Sequence, residues 1–222
     1  MTQSDSPADN PAGIATSLTS LESLKAGNQR FTSNLRDAEV MASQAHRPEL
    51  VAGQNPHTII LGCADSRVPA ELVFDQGLGD LFVVRVAGNI AAPSQIGSIE
   101  FAVQSFGVPL VVVLGHSNCG AIGATINELQ QPSGGLSPDL GSIVDCIKPA
   151  IVTLMDSPLR ENKSELMAEG IRANVRLAAE QLRQGSKVLE EKVSSGELLV
   201  VGAEYSLETG VVEFFDGVPN AS

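Results

Sequence analysis

The 222-residue sequence predicts a single α/β domain, in which helices flank a central, mostly parallel β-sheet and a helical arm precedes it. Three observations predict this class. Four apolar runs are nearly continuous in Val, Ile and Leu, which is typical of parallel strands covered on both faces. Segments with helical periodicity separate these runs, and a fifth run follows a tight turn. The expected sheet therefore has four parallel strands plus an antiparallel edge strand.

The N-terminal part of the chain is expected to form a tail and then helices. Residues 1–16 are small, polar and Pro-containing, which predicts a disordered tail. Thr19 and Glu22 have the spacing of a capping box at a helix start, and a second amphipathic stretch covers residues 37–50. The sequence leaves open whether these helices pack on this chain's own sheet or on a partner's. The predicted parts are the tail (1–16), a helical arm (17–50) and an α/β domain (51–218).

The remaining elements alternate along the chain. The predicted strands are Thr58–Gly62, Leu81–Val86, Pro109–Gly115, Glu197–Glu204 and, after a turn at Thr209-Gly210, Val211–Phe215. The predicted helices are Ala70–Phe74, Gln95–Phe106, Cys119–Gln130, Leu140–Met155 and one long helix, Glu161–Ser194. A loop is expected at Gln131–Pro138, where Gly, Ser and Pro cluster.

Composition excludes several classes of function. Acidic residues number 26 against 14 basic ones, a formal charge of -12, which argues against nucleic acid or an anionic membrane as a partner. No apolar run approaches the roughly 20 residues that a membrane span requires. Three cysteines and no apolar N-terminal signal segment predict a protein of the reducing cytoplasm. Spaced cysteines there bind metal or do chemistry more often than they form disulfides.

The candidate functional residues follow two of the predicted strands. Cys63, Asp65 and Arg67 follow the first strand, and His116 and Cys119 follow the third. Because parallel strands end at the same edge of a sheet, these side chains are expected to lie together. Two Cys and one His form a known catalytic zinc set, which leaves one tetrahedral position for water or for the carboxylate. The alternative is that both thiols are inert and buried and that the imidazole is satisfied by the loop.

Asp65 and Arg67 are spaced for a bidentate ion pair. Beside a metal, the single carboxylate has two mutually exclusive partners, the ion and the guanidinium. We therefore consider a switch in which Asp65 occupies the fourth metal position in an inactive state and pairs with Arg67 in an active one. The alternative is an ordinary surface salt bridge. His46 and His57 lie among polar and Pro-rich residues, so surface positions are expected for both.

These motifs resemble those of β-class carbonic anhydrases, over roughly residues 20 to 215. The matching segments are CADSRVPAE (Cys63–Glu71), HSNCGA (His116–Ala121), FDQGLGDLFVVRVAGN (Phe74–Asn89), GSIEFAV (Gly97–Val103) and GNQRF (Gly27–Phe31). The resemblance implies reversible hydration of carbon dioxide to bicarbonate and a proton by attack of a zinc-bound hydroxide. It implies one zinc ion per subunit on Cys63, His116 and Cys119, with Asp65 as a further ligand in the inactive state.

The resemblance also assigns roles outside the metal set. It implies a catalytic dyad of Asp65 and Arg67, a substrate-binding Gln54, and Phe82 in the apolar carbon dioxide pocket. It implies a homodimer or a dimer of dimers, with sites at the interface and with the N-terminal arm embracing the partner. Arg85 matches a residue of a second, non-catalytic bicarbonate site in one subgroup.

The same residues leave three other functions open. Related hydrolases with this ligand pattern act on carbon disulfide or carbonyl sulfide, and only the shape of the pocket separates them. A structural zinc module is less consistent with three ligands than with four. A thiol redox sensor would need an exposed thiol of low pKa and no metal.

Overall fold

The computed structural model describes residues 11–38, 40, 47–132 and 135–219, and these form an α/β domain around one five-stranded sheet. Its strands are β1 (Thr58–Gly62), β2 (Leu81–Arg85), β3 (Leu110–His116), β4 (Leu199–Tyr205) and β5 (Val212–Asp216). Its α-helices are α1 (Pro11–Thr32), α2 (Ala70–Val73), α3 (Pro93–Phe106), α4 (Gly120–Gln130), α5 (Pro138–Met155), α6 (Lys163–Gln184) and α7 (Lys187–Ser194). Short 3-10 helices cover Glu49–Ala52, Ala87–Asn89 and Pro158–Glu161.

The order of strands across the sheet is β2-β1-β3-β4-β5. The first four are parallel and β5 is antiparallel to β4, so the predicted fold class is confirmed. Every residue of β1 and β3 is buried, because helices cover both faces of the sheet. This burial explains the continuous aliphatic runs. No helix in the described part of the chain is both long and apolar enough for a membrane span.

The strand predictions are accurate to within two residues, but the prediction of one long C-terminal helix is wrong. The segment Glu161–Ser194 contains two helices, which separate at Gly185 and Ser186. The Ser186 hydroxyl accepts a hydrogen bond from the Leu189 amide at 3.2 Å and so caps a new helix. Serine is favoured at this position because it satisfies a helix amide that has no partner within the helix.

The N-terminal helix begins earlier than the capping-box spacing indicates. Helix α1 starts at Pro11, so the prediction of a tail over residues 1–16 is wrong for residues 11–16, which are helical. Thr19 lies inside this helix and donates to the Ala15 carbonyl at 2.9 Å, and the prediction that it starts the helix is therefore wrong. Residues 1–10 and most of the predicted second amphipathic stretch (39 and 41–46) lie outside the described residues.

Helix α1 packs on this chain's own sheet. Leu21 and Leu24 are fully buried among side chains of β1, β3 and β4. The buried Asn28 amide donates to the carbonyls of Val73 (3.1 Å) and Gly210 (2.8 Å) and accepts from the Val212 amide (2.8 Å). A buried amide with three partners fixes the position of the helix. The choice left open by the sequence is therefore resolved for α1.

Gly27 allows α1 to approach the backbone of residue 74. A Cβ atom built on Gly27 would lie 1.7 Å from the Phe74 carbonyl oxygen, and neither backbone can yield. We expect Gly27→Ala to lower the free energy of unfolding by about 3 kcal/mol or more. Gly97, in α3, has open space around it, so Gly97→Ala should instead raise stability by about 0.5–1 kcal/mol. Urea unfolding of both variants tests the contrast, and equal effects would contradict it.

Candidate metal centre

Cys63, His116 and Cys119 come together at the carboxyl edge of the sheet. One ligand atom of each residue lies within 4.8 Å of the others, and all three side chains are buried. The two sulfur atoms are 4.0 Å apart and both thiols are free. The sequence prediction that these residues meet is confirmed, and their donor set of two sulfurs and a nitrogen is one that zinc favours.

Strand ends and a tight turn deliver these three side chains. Cys63 directly follows β1, and His116 is the last residue of β3. Asn118 has a positive φ of 55°, a conformation that Asn tolerates, and this turn brings Cys119 to the position immediately before α4. The amides of Ala121 and Ile122 at the start of α4 lower the pKa of Cys119, but the neighbouring Cys63 and burial outweigh them.

The imidazole of His116 has one nitrogen bonded and one free. Its Nδ1 lies 2.9 Å from the Ser117 carbonyl oxygen, which can only accept, so Nδ1 carries the proton. Its Nε2 is buried and has no hydrogen-bond partner among the described residues. A buried lone pair costs free energy unless it finds a partner, and a metal ion beside two sulfurs supplies one. This atom argues against the interpretation of His116 as a satisfied loop histidine, and the three residues fit a metal.

The protonation states of Cys63, His116 and Cys119 depend on one another. The Cys119 thiol donates a hydrogen bond that lowers the pKa of the Cys63 thiol well below its usual value, with help from His116 and the Gly88 amide. The same bond, together with burial, raises the pKa of Cys119. Burial opposes charge on His116, but the neighbouring Cys63 raises the imidazole pKa above its usual value. A metal ion at this cluster would take the place of these protons, because thiols and imidazole bind metal in their deprotonated forms.

A buried chain of hydrogen bonds holds Cys63 in position. The Gly88 amide donates to the Cys63 sulfur at 3.4 Å, and the Asn174 side chain donates to the Gly88 carbonyl at 2.8 Å. Arg85 donates to the carbonyls of Cys63 (2.9 Å) and Asp65 (2.6 Å). No local sequence pattern predicts Gly88 and Asn174 as site residues, because they are 86 positions apart.

Asp65 pairs with Arg67 next to the cluster. Arg67 Nε donates to Asp65 Oδ1 (2.9 Å) and Nη2 donates to Oδ2 (2.7 Å), which is the predicted bidentate geometry. This pairing holds the pKa of Asp65 well below its usual value. Asp65 Oδ2 lies 4.0 Å from His116 Nε2, so the carboxylate borders the metal cluster without belonging to it. A role for Asp65 as fourth ligand stays a prediction.

Gln54 and Phe82 lie at the other end of the sheet. Gln54 is exposed and precedes the amino end of β1, whereas Cys63 follows the carboxyl end. Phe82 pairs with Ile59 in the sheet register, which places it about 13 Å of strand before the level of Cys63. It packs on Phe106, with ring centroids 6.2 Å apart. The fold of one subunit therefore does not bring these two predicted substrate contacts to its own metal cluster.

Comparison with known proteins identifies one family. The family model described as carbonic anhydrase matches residues 58–212. Carbonic anhydrase 2 of Mycobacterium tuberculosis is 38% identical over 201 residues, which cover 90% of this chain and 93% of that protein. The carbonic anhydrase of Mycolicibacterium smegmatis is 37% identical over 195 residues, 86% of this chain and 90% of that protein. A tetrameric β-carbonic anhydrase of Sordaria macrospora has a TM-score of 0.70 at 26% identity, covering 83% of this chain and 93% of that one.

Proposed function

Since this chain belongs to the β-class carbonic anhydrases, we propose that it hydrates carbon dioxide reversibly to bicarbonate and a proton, with one zinc ion per subunit. The observation that carries the proposal is the buried cluster of two thiols and an imidazole whose Nε2 has no partner among the described residues. Three free cysteines suit a reducing compartment, and we propose the cytoplasm.

Cys63, His116 and Cys119 are the residues that would hold zinc. Thiolate and imidazole ligands suit zinc, whereas magnesium and calcium prefer oxygen. Zinc supplies acidity, because it lowers the pKa of water toward neutrality, as it does in carbonic anhydrases with three histidine ligands. Two thiolates donate more negative charge than imidazoles do, so the effect on water should be smaller here. Gly88 and Asn174 keep Cys63 in place for this role.

Asp65 would orient the attacking water, and Arg67 would hold Asp65. The Oδ2 atom of Asp65 faces His116, so it is placed to accept a hydrogen bond from a water molecule at the cluster. Because Asp65 stays ionised, it can only accept, and this acceptance directs the oxygen lone pair of that water toward carbon dioxide. The switch hypothesis adds that loss of the Arg67 contact would let Asp65 turn to the metal and exclude water.

The substrate contacts Gln54 and Phe82 are proposed to act on the metal centre of a neighbouring subunit. Their place at the amino end of the sheet keeps them from their own cluster and supports a composite site in a homodimer or a dimer of dimers. The Sordaria macrospora relative is described as tetrameric. We propose that the part of the arm after α1 embraces the partner, since α1 itself packs on its own sheet.

Substrate specificity is the property that most directly tests this function. We expect purified protein to contain about one zinc ion per chain and to hydrate carbon dioxide, with carbonyl sulfide and carbon disulfide turned over far more slowly. Stopped-flow assays of the three substrates, with metal analysis of the same preparation, make the comparison. Full activity in metal-free protein would refute the proposal. Preference for carbon disulfide or carbonyl sulfide would assign the chain to the related hydrolase activity instead.

A further inference from the structure

The turn after α2 carries two polar side chains that the proposed reaction does not use. The first, Asp75, is completely buried and has a positive φ of 46°, a backbone conformation that favours glycine. The second, Gln76, is half-buried. A buried carboxylate and a left-handed backbone both oppose folding unless their surroundings compensate.

Gln76 is bonded to His57, which directly precedes β1. The Gln76 side-chain nitrogen donates to the Phe74 carbonyl at 2.9 Å, so its oxygen is the atom that faces His57 Nε2 at 3.0 Å. His57 Nε2 therefore donates, and His57 Nδ1 accepts from the Thr58 hydroxyl at 2.8 Å. The main-chain amide of His57 also donates to the Asp80 carbonyl at 3.0 Å. His57, expected at the surface, is thus fixed at both ring nitrogens and at its backbone.

Asp75 is hydrogen-bonded to the end of α1 and to the chain just beyond it. Its Oδ2 accepts from Arg30 Nε at 2.7 Å and from the Asp37 amide at 3.1 Å. Arg36 Nε lies 3.3 Å from Oδ1. Two cations and one amide therefore surround a single buried carboxylate. Neighbouring residues of one turn thus hold residues 36 and 37 on one side and residue 57 on the other.

Gln54 lies only three residues before the anchored His57. Pro56, which is buried, stands between them, and its ring fixes the backbone φ angle. A short connection with a proline transmits the position of His57 to Gln54 with little slack. An exposed glutamine without such an anchor would lose conformational entropy each time it bound a ligand.

We propose that the Asp75–Gln76 turn is a positioning element for substrate binding: Gln76 fixes Gln54 through His57, and the contacts of Asp75 hold the turn itself in place. The inference rests on the proposed function, in which Gln54 contacts substrate at a neighbouring metal centre. Asp75 and Gln76 are positioning residues and touch neither substrate nor metal. Because Gln54 binds substrate without joining the reacting atoms, loss of its position should act on KM and spare kcat.

The test combines Gln76→Leu with Gln54→Ala in the full-length protein. We expect each single variant to raise KM for carbon dioxide about tenfold, the range of one lost hydrogen bond, with kcat within about twofold of wild type. The double variant should have the KM of Gln54→Ala alone, because Gln76 acts only through Gln54. Metal content and oligomeric state, measured on each variant, should be unchanged. The proposal would be overturned if the KM increase of the double variant were the product of the two single increases. An unchanged KM for Gln76→Leu, or loss of metal or of assembly in any variant, would also overturn it.

Asp75→Asn tests the contacts that hold the turn, with an ion-paired aspartate elsewhere in the fold as the comparison. Asp216 is also paired with an arginine, Arg183, at 2.6 Å, but on β5. Asp75→Asn should raise KM, and Asp216→Asn should leave it unchanged. If Asp75→Asn fails to fold, Gln76→Leu, which removes no charge, still tests whether the turn positions Gln54. An unaltered KM in Gln54→Ala would overturn the positioning role while leaving zinc-dependent hydration by the wild type intact, so the two proposals fail separately.

Discussion

Cys119→Ser is expected to lose metal and activity together. A neutral hydroxyl replaces a thiolate in a buried cluster, and the remaining Cys63 and His116 offer two ligands where three are needed. We expect zinc content to fall well below one per chain and carbon dioxide hydration to fall by at least about a thousandfold, because water then lacks the acidity that the metal supplies. Metal analysis and stopped-flow hydration of the same sample measure both quantities.

Cys146→Ser is the matched control for this variant. Cys146 is also a free thiol and packs on the hydrophobic cluster that contains Cys63 and Cys119, but it is not one of the three grouped ligands. The Cys146→Ser variant should keep full zinc content and activity, with at most a small change in stability. If Cys119→Ser retained zinc and hydration, or if Cys146→Ser lost them to the same extent, the assignment of ligands would be wrong.

Local sequence patterns predict the sheet and the metal cluster for the same reason. β1 and β3 are buried on both faces, so their sequences are aliphatic without interruption, and the first polar residues after them mark the strand ends. Parallel order then requires Cys63 and His116 to share an edge. The residues within and directly after each strand are enough to predict where it ends, and the parallel topology then determines which strand ends lie together.

Features that depend on distant contacts are not predictable in this way. Asn174 is a polar residue in the middle of α6, and only the folded chain shows that it holds the Gly88 carbonyl. Asp75 similarly gains its partners from α1 and the residues after it. Predictions of helix ends fail for a different reason. Thr19 and Ser186 are both residues that can cap a helix, but only Ser186 does so. Capping residues compete with other hydrogen-bonding choices that packing decides.

The positions of Gln54 and Phe82 show what a family resemblance leaves open. The resemblance indicates which residues contact substrate, but not which subunit they serve. The register of β1 with β2 places Phe82 beside Ile59, far from the end of the strand that carries Cys63. The single chain therefore brings its proposed metal ligands together, whereas its proposed substrate contacts would need a second subunit to reach a metal centre.

Arg67→Ala is expected to abolish most activity while the protein keeps its metal. Arg67 is more than half exposed and makes no contact with the cysteine sulfurs among the described hydrogen bonds, so metal binding should survive. Its removal frees both oxygens of Asp65, which then lose the orientation that directs the attacking water. A misplaced catalytic group costs about a hundredfold in rate, and we expect a loss of that size or larger. Without Arg67 the pKa of Asp65 should return toward the ordinary value of an aspartate, which is still ionised at neutral pH, so protonation does not account for such a loss.

Arg67→Lys distinguishes geometry from charge in the same position. An ammonium restores the positive charge but cannot reproduce two parallel hydrogen bonds to a carboxylate, so we expect only partial recovery of the hydration rate. Arg183→Ala removes another ion-paired arginine, which binds Asp216 and the Val200 carbonyl. Val200 pairs with Val111, five residues before His116 on β3, so this variant should leave the rate unchanged. Hydration rates and zinc content for the three variants decide between the alternatives. Near-normal activity in zinc-replete Arg67→Ala would reduce the Asp65–Arg67 pair to an ordinary salt bridge, whereas loss of zinc in that variant would place Arg67 in metal retention rather than in catalysis.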